Sequence, residues 1–217
     1  NRKTDYAKIP IEGITKINRI DISFAAEMGY VIKLLGIARA AGDRIDIRVH
    51  PTMIPEKHPL AAVRDEFNAV LFDGDMTDPV ILYGKGAGSN PTASAVVSDI
   101  VQITEKKGID YPAIPVLGEA KYLPANERIS RYYLRIHSED RPGILSKISG
   151  ALGNNNISIS SVIQKEVDSN YVPLIIMTHR AEEEGMRRAL QEIAGFPFVQ
   201  GEVIMIRVED SHDQKGE

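Results

Sequence analysis

The chain has 217 residues, of which 43% are hydrophobic and 26% charged, and its formal net charge is -4. This negative balance without a dense lysine and arginine cluster argues against nucleic acid as a partner, and the absence of cysteine excludes disulfides, thiolate nucleophiles and cysteine-based metal sites. No apolar run approaches the roughly 18 residues that span a bilayer, and the polar first residues do not resemble a signal peptide, so we expect a cytoplasmic protein that does not insert into membranes.

The first hundred residues predict a mixture of short strands and helices. The predicted elements are an extended segment over 7–17, a helix over 18–29, strands over 30–40 and 44–49, a proline-rich loop over 51–59, a short helix over 60–67, strands over 69–74 and 80–83, and a helix over 92–105. The strands over 30–40 and 44–49 are expected to form a hairpin. A structural role is favoured for Glu12 in the extended segment.

Three glycines at alternate positions separate the last strand from the last helix of this region. Gly84, Gly86 and Gly88 alternate with Lys85 and Ala87 in a loop. Such glycines permit positive φ and close approach of the backbone to a bound group, and a helix start behind them can bind an anion. The spacing is not the dinucleotide fingerprint, because Ser89 stands where the final glycine is required. The spacing alone is equally typical of a tight turn beneath a packed helix.

Other chemistry-bearing patterns are weak. His50 and His58 lie eight residues apart near the predicted loop, but no carboxylate pattern supports a metal site, and none is predicted. Paired catalytic carboxylates, a serine–histidine–aspartate order and a phosphate-binding loop are not evident in the sequence. We therefore predict no catalytic residue within this chain.

The pattern changes over residues 107–129, where repeated prolines predict a linker. Residues 130–209 then follow the order β-α-β-β-α-β, which is the ferredoxin-like unit, and 210–217 are predicted to be a tail. The predicted elements are strands over 131–137, 157–165, 172–178 and 202–208, and helices over 144–152 and 182–193.

The turn that opens the first helix of this unit carries a recognisable motif. Asp140-Arg-Pro-Gly-Ile-Leu145, followed by Asn155-Asn-Ile-Ser-Ile159, resembles an ACT domain, an amino-acid-sensing module. The resemblance implies a ligand held at this turn between paired domains. The candidate effector-binding residues are Asp140, Arg141, Pro142, Gly143, Ile144, Asn155 and Asn156. The alternative is that Asp140 only caps the helix and Gly143 only relieves crowding.

Residues 1–106 resemble homoserine dehydrogenases. The motifs that carry this resemblance are Ile11-Glu-Gly-Ile14, Gly29-Tyr-Val-Ile-Lys33, Arg48-Val-His-Pro-Thr52 and Tyr83-Gly-Lys-Gly-Ala-Gly88 with the Pro-Thr-Ala-Ser that follows. The resemblance implies the end of the catalytic and dimerisation domain, with Gly84, Gly86, Ala87 and Gly88 at a crevice for NADP or NAD. The family's nucleotide-binding domain and catalytic lysine have no counterpart in this sequence, so we expect the chain alone to be inactive.

The sequence therefore predicts an α+β protein that combines part of a homoserine dehydrogenase catalytic sheet with a ferredoxin-like βαββαβ ACT domain. The resemblance also implies a homo-oligomer, either a dimer or a tetramer, and we expect a dimer through the hairpin strands. Threonine is favoured as the effector because it ends the pathway of the family, although another amino acid is open. The alternative function is a non-catalytic, dimeric amino-acid-binding module.

Overall fold

The computed structural model describes residues 2–74, 76–105, 115, 118–165 and 169–209. The strands are β1 (Tyr30–Ala41), β2 (Arg44–Pro55), β3 (Phe67–Gly74), β4 (Thr77–Lys85), β5 (Ile129–Glu139), β6 (Ile159–Gln164), β7 (Tyr171–Thr178), β8 (Ala181–Glu182) and β9 (Ile204–Val208). The α-helices are α1 (Arg19–Glu27), α2 (Ser89–Glu105), α3 (Ile144–Asn154) and α4 (Glu183–Ala194). Much of the predicted linker (107–114, 116 and 117) and the predicted tail lie outside the described residues.

One seven-stranded sheet connects the two halves of the chain. Its order is β1-β2-β9-β5-β7-β6, with β8 pairing beside β5. The pairing of β2 with β9 is parallel, with Thr52 opposite Arg207 and Met53 opposite Val208, whereas β5 pairs antiparallel with both β7 and β9. The domain division at 107–129 stays a prediction, and the sheet is continuous across it.

The second half has the predicted ferredoxin-like order, which confirms the α+β class. Helices α3 and α4 pack on one face of the sheet. The fully buried side chains of this core include Tyr132, Leu134, Ile148, Leu152, Met186, Ile193 and Phe198. Each such apolar side chain stabilises the fold by roughly 1.5–3 kcal/mol on burial. More buried residues pack on this face than on the other, so it forms the larger of the two cores.

The other face of the sheet is covered by α1. Asn18 begins this helix by accepting hydrogen bonds from the backbone of Ile20 and Asp21, and Asp21 accepts one in return from the Asn18 N–H, which makes a capping box. Phe24 and Ala25 are buried by the helix against the sheet. The sheet residues they join are Met53, Tyr133, Ile175, Met177, Ile204, Ile206 and Val208. A helix of the first half therefore completes the core of the second half.

Four local predictions are wrong. The segment expected to be extended over 7–17 instead begins with a 3-10 turn, Tyr6–Lys8, turns again at 14–16, and pairs only through an isolated bridge between Ile11 and Val49. The loop expected over 51–59 is instead largely strand, because β2 continues to Pro55. The helix expected over 60–67 is only a short 3-10 turn, Pro59–Ala62. The last helix of the first half begins at Ser89 rather than at residue 92. The extension of β2 is explained by its pairing with β1 and β9, because local proline signals cannot reveal contacts with distant strands.

Strands β3 and β4 form a separate two-stranded sheet that precedes the largely exposed helix α2. Large apolar side chains of these three elements are at least half exposed, and they include Val70, Phe72, Val80, Leu82, Tyr83, Val96, Val97 and Ile100. We call these residues the apolar face. Exposed apolar surface on this scale is typical of a region that packs against another surface. Separately, none of the helices in the described ranges is long and apolar enough to cross a membrane.

Candidate functional site

The glycine loop, residues 84–88, connects β4 to α2. Gly84 belongs to β4 and pairs with Asn68, whereas the Gly86 N–H donates to the Glu66 carbonyl at 2.8 Å. Of the three glycines only Gly88 has positive φ, at 114°. The conformational freedom expected of all three is therefore used only at Gly88, directly before the first turn of α2.

Gly86 is required for a different reason, which is the close approach of Asn68. A Cβ atom built on Gly86 would overlap the Asn68 side-chain amide and lie 2.6 Å from its Cγ atom. The loop itself is exposed, so backbone groups of residues 84–88 and the first turn of α2 are accessible. An exposed helix start of this kind suits a polar or anionic part of a dinucleotide.

Substitution of Gly86 by alanine is expected to displace the Asn68 side chain and to destabilise the β3–β4 sheet locally by about 1–3 kcal/mol, the usual range for overpacking. Hydrogen exchange of the β3 and β4 amides measures this local loss. The double variant Asn68→Ala/Gly86→Ala should recover most of the protection, because it removes the overlapping amide. Gly150→Ala is the control, since its added methyl meets no atom within 4 Å. Wild-type protection in Gly86→Ala would contradict this explanation.

The second candidate site is a concave pocket of about 380 Å³ where β5 ends and α3 begins. We call it the turn pocket. It is lined by Ser138, Glu139, Asp140, Arg141, Pro142, Gly143, Ile144, Leu145, Gln164 and Leu174. The structure therefore brings together all five predicted residues of the turn and adds residues from β6 and β7.

Charged and polar groups of both kinds lie side by side in the turn pocket. Asp140 Oδ1 accepts a hydrogen bond from Gln164 Nε2 at 2.9 Å, and Arg141 Nε pairs with Glu139 Oε2 at 2.7 Å. Gly143 precedes α3 with φ of 88°. The Ile144 N–H donates to the Arg141 carbonyl over a long 3.4 Å. Carboxylate acceptors thus lie beside an arginine and a helix start, which supply donors.

Asn155 and Asn156 lie at the opposite end of α3 and do not line the turn pocket within one copy. Asn155 donates from Nδ2 to the Ala151 carbonyl at 2.9 Å and accepts from Arg188 Nε at 3.3 Å. A contribution from a partner copy stays a prediction. In contrast, Gln164 was not predicted, because only the pairing of β6 with β7 brings the end of β6 beside Asp140.

Ion pairs made by buried side chains, Arg207 and Asp46, connect the two halves of the chain. Arg207 on β9 contacts Glu12 at 3.0 Å and Glu183 on α4 at 2.7 Å. Burial opposes ionisation of Glu183, but hydrogen bonds and charge attraction from Arg207 and Arg187 outweigh it and hold the pKa of Glu183 below its ordinary value. Arg128 pairs with Asp46 at 2.7 Å across the same junction. Glu12 therefore links the segment before α1 to the ferredoxin-like unit.

His50 is buried within this junction. Its Nε2 accepts from Arg48 Nε at 2.9 Å, and its Nδ1 lies 3.0 Å from the Pro51 carbonyl and from Thr52 Oγ1. Burial lowers the pKa of His50 to about 4. His58 instead accepts the Leu60 N–H at 3.1 Å. Within the described residues, no group of three or more histidines and carboxylates is placed to hold a metal ion.

Comparison with known proteins assigns families to both regions. Residues 1–101 match the family model for homoserine dehydrogenase, and residues 132–197 match the model for the ACT domain. The glycine loop lies within the first match and the turn pocket within the second.

Similar full-length proteins extend these matches across nearly the whole chain. Homoserine dehydrogenase from Neisseria gonorrhoeae is 42% identical over 218 residues, which cover 96% of this chain and 50% of that protein. The Pseudomonas aeruginosa enzyme is 37% identical, with 94% and 49% covered. The chain therefore spans about half the length of these curated relatives.

Solved structures give the same result. A homoserine dehydrogenase from Thiobacillus denitrificans aligns with a TM-score of 0.78 and 42% identity, covering 92% of this chain and 47% of that one. The Staphylococcus aureus enzyme aligns with a TM-score of 0.60 and 26% identity, covering 94% and 47%. The chain is therefore similar to homoserine dehydrogenases over nearly its whole length, with the homoserine dehydrogenase family matched over residues 1–101 and the ACT domain over residues 132–197.

Proposed function

We propose that this chain is the carboxy-terminal half of a homoserine dehydrogenase that interconverts L-homoserine and L-aspartate 4-semialdehyde with NADP or NAD. In this proposal the turn pocket binds an amino-acid effector, with threonine favoured. The turn pocket is the observation that carries the sensing role, because it places carboxylate acceptors beside an arginine and a helix start, as recognition of a zwitterion requires. A cytoplasmic location stays a prediction.

The chemistry of the turn pocket suits a free amino acid. Asp140 and Glu139 can accept hydrogen bonds from an ammonium group, while Arg141 and the first N–H groups of α3 can donate to a carboxylate. Leu174 is buried beneath these groups and offers an apolar contact for a short side chain. Threonine is favoured because it ends the biosynthetic route that begins from homoserine.

The glycine loop would hold a polar part of the cofactor. Gly84, Gly86, Ala87 and Gly88 are exposed, and α2 begins directly after them. The reduced cofactor, when bound, would supply the hydride to the aldehyde carbon, and this chain would contribute orientation. The apolar face supports the same proposal, because it gives the other half of the enzyme a surface on which to pack.

A homo-oligomer, dimer or tetramer, is part of the proposal. Strand β1 is an open edge of the large sheet and leaves Leu34 more than half exposed. An open edge with apolar side chains favours pairing with another chain. We therefore propose that two copies associate through the β1–β2 hairpin.

The isolated chain is expected to show no homoserine-dependent reduction of NADP or NAD, whereas the full-length protein should show it. The reason is that the family places its dinucleotide fold and catalytic lysine in the other half. Absorbance of the reduced nicotinamide measures both activities. Turnover by the isolated chain would contradict the proposed division of labour. Absence of activity in the full-length protein would instead favour the non-catalytic amino-acid-binding module.

Threonine is expected to bind the chain, and Asp140→Ala and Gly143→Val should each weaken binding by at least about tenfold. A charge-assisted hydrogen bond is worth roughly 1.5–3 kcal/mol, and a β-branched residue resists the positive φ of Gly143. Isothermal calorimetry with threonine, serine, methionine, isoleucine and lysine tests both points. Asp43→Asn is the control, because this exposed carboxylate pairs with Lys121 away from the pocket.

Two outcomes of the titration would contradict the assignment. One is that none of the five amino acids binds with a dissociation constant below about a millimolar. The other is that Asp140→Ala and Gly143→Val bind threonine as tightly as Asp43→Asn does. Either result would remove the sensor site from this turn.

A further inference from the structure

The wall of the turn pocket continues directly into a contact with α1. Gln164 lines the pocket and donates to Asp140. The next residue, Lys165, donates from Nζ to both carboxylate oxygens of Glu27 at 2.6 and 2.7 Å, and this ammonium lies 4.9 Å from the ring centroid of Phe24. Adjacent residues at the end of β6 therefore contact the candidate ligand site and the last turn of α1.

The two ends of α1 are fixed with different strength. At the first turn, Asp21 is fully buried and pairs with Arg135 at 2.7 Å. At the last turn, the side chains of Lys165 and Glu27 are 50% and 43% exposed. Exposed ion pairs are weak and easily exchanged for water, whereas a buried pair resists separation. Phe24 keeps this turn packed on the sheet, so the Lys165–Glu27 pair is the contact of α1 that a ligand can most easily exchange for water.

That last turn leads into the β1–β2 hairpin. Gly29 donates to the Ala26 carbonyl at 3.0 Å, and its own carbonyl accepts the Glu56 N–H at 3.0 Å. Gly29 directly precedes β1, and Glu56 directly follows β2. A displacement of the last turn of α1 therefore reaches both strands of the hairpin in the homoserine dehydrogenase part of the chain.

We propose that ligand occupancy of the turn pocket is transmitted to this hairpin through the last turn of α1. The inference rests on the proposed sensor function. In this proposal a ligand ammonium takes Asp140 Oδ1, the oxygen that the Gln164 amide contacts, because a charged donor makes the stronger hydrogen bond to a carboxylate. Displaced Gln164 releases the end of β6 from the turn, and Lys165 then loses its contact with Glu27.

Hydrogen exchange of the chain with and without saturating threonine tests this proposal. Threonine should accelerate amide exchange across residues 24–29 by about fivefold, the lower end of typical coupling between sites. Lys165→Ala should show the faster exchange without threonine and no further response to it. Lys121→Ala is the matched control and should behave as wild type, since it removes a similarly exposed cation that pairs with Asp43 elsewhere.

Calorimetry on the same samples separates the possible failures. Lys165→Ala should bind threonine within about threefold of wild type, because Lys165 does not line the pocket. If wild type binds none of the five amino acids, the sensor function and this inference are both overturned; if it binds another of the five but not threonine, the exchange experiment uses that amino acid. If wild type binds threonine but exchange across residues 24–29 is unchanged or slower, only the inference is overturned. The inference alone is also overturned if exchange in Lys165→Ala responds to threonine as it does in wild type.

Discussion

Replacement of Asp21 by alanine is expected to lower the free energy of unfolding by about 3–5 kcal/mol, because it leaves a buried guanidinium without its carboxylate. Asp21 is fully buried and accepts hydrogen bonds from Arg135 Nε at 2.7 Å and from the Tyr133 hydroxyl at 2.9 Å. It also accepts the Asn18 N–H at the start of α1. The substitution therefore removes an ion pair and part of the helix cap together.

Urea denaturation of the chain measures this loss, and two further variants define its origin. Asp21→Leu/Arg135→Met removes both buried charges and should recover most of the stability, because apolar replacements of a buried pair are tolerated. Glu184→Gln disrupts an exposed pair with Arg188 at 3.0 Å and should cost no more than about 0.5 kcal/mol. A loss below about 1 kcal/mol for Asp21→Ala would contradict a role for this pair in fixing α1.

Acidification from pH 6.5 to pH 4 is expected to remove about 3 kcal/mol of stability through His50 alone. Burial lowers the pKa of His50 from 6.5 to about 4 in the folded chain, where Arg48 already donates to Nε2. Between these pH values the unfolded chain binds a proton at His50 that the folded chain does not. Stability therefore falls as the pH falls through 6.5 and this contribution levels off below about 4.

The variant His50→Gln should flatten this part of the pH profile when unfolding is followed in urea at several pH values. Burial also lowers the pKa values of His58 and His137, so a smaller slope in the same direction should remain. His179→Gln is the control, because that side chain is exposed. A His50→Gln profile as steep as that of His179→Gln would contradict this origin.

Two carboxylates at the junction of the two halves of the chain affect stability at lower pH than His50 does. The pKa values of Glu12 and Glu183 are lowered from 4.5, since their pairing with Arg207 outweighs the opposing effect of burial. Their contribution to the free energy of unfolding is fully present above pH 4.5, the pKa of both groups in the unfolded chain, and is lost as the pH falls through their lower pKa values in the folded chain. The histidine and carboxylate effects can therefore be separated within one titration.

Local sequence patterns predicted the helices and strands whose signals lie within each element. Asn18 and Gly29 bracket α1, with the predicted asparagine at its start and glycine after its end. The extension of β2 past Pro51 and the packing of α1 on β5 were not predicted. The packing of α1 on β5 depends on contacts between residues more than a hundred positions apart, and the extension of β2 depends on pairing with β1 and β9. Periodicity and capping signals within one element do not respond to either.

The candidate sites also show that local sequence patterns predict consecutive residues but not contacts between distant ones. The turn from Asp140 to Ile144 was predicted because its residues are consecutive, and the structure places all of them around one pocket. Gln164 carries no local signal and enters the pocket through strand pairing. At Gly86 the permitted positive φ is not used, and alternate glycine spacing cannot distinguish backbone freedom from the close approach of Asn68.

The parallel pairing of β2 with β9 also imposes an order on folding during synthesis. The β1–β2 hairpin leaves the ribosome long before Arg207 and Val208 have been translated. At typical translation rates of about 5–20 residues per second, β2 waits on the order of ten seconds for its neighbour. Met53 and Ile54, which are fully buried in the finished sheet, remain accessible during this interval. Nascent chains that stop before β9 are therefore expected to aggregate through this unpaired edge.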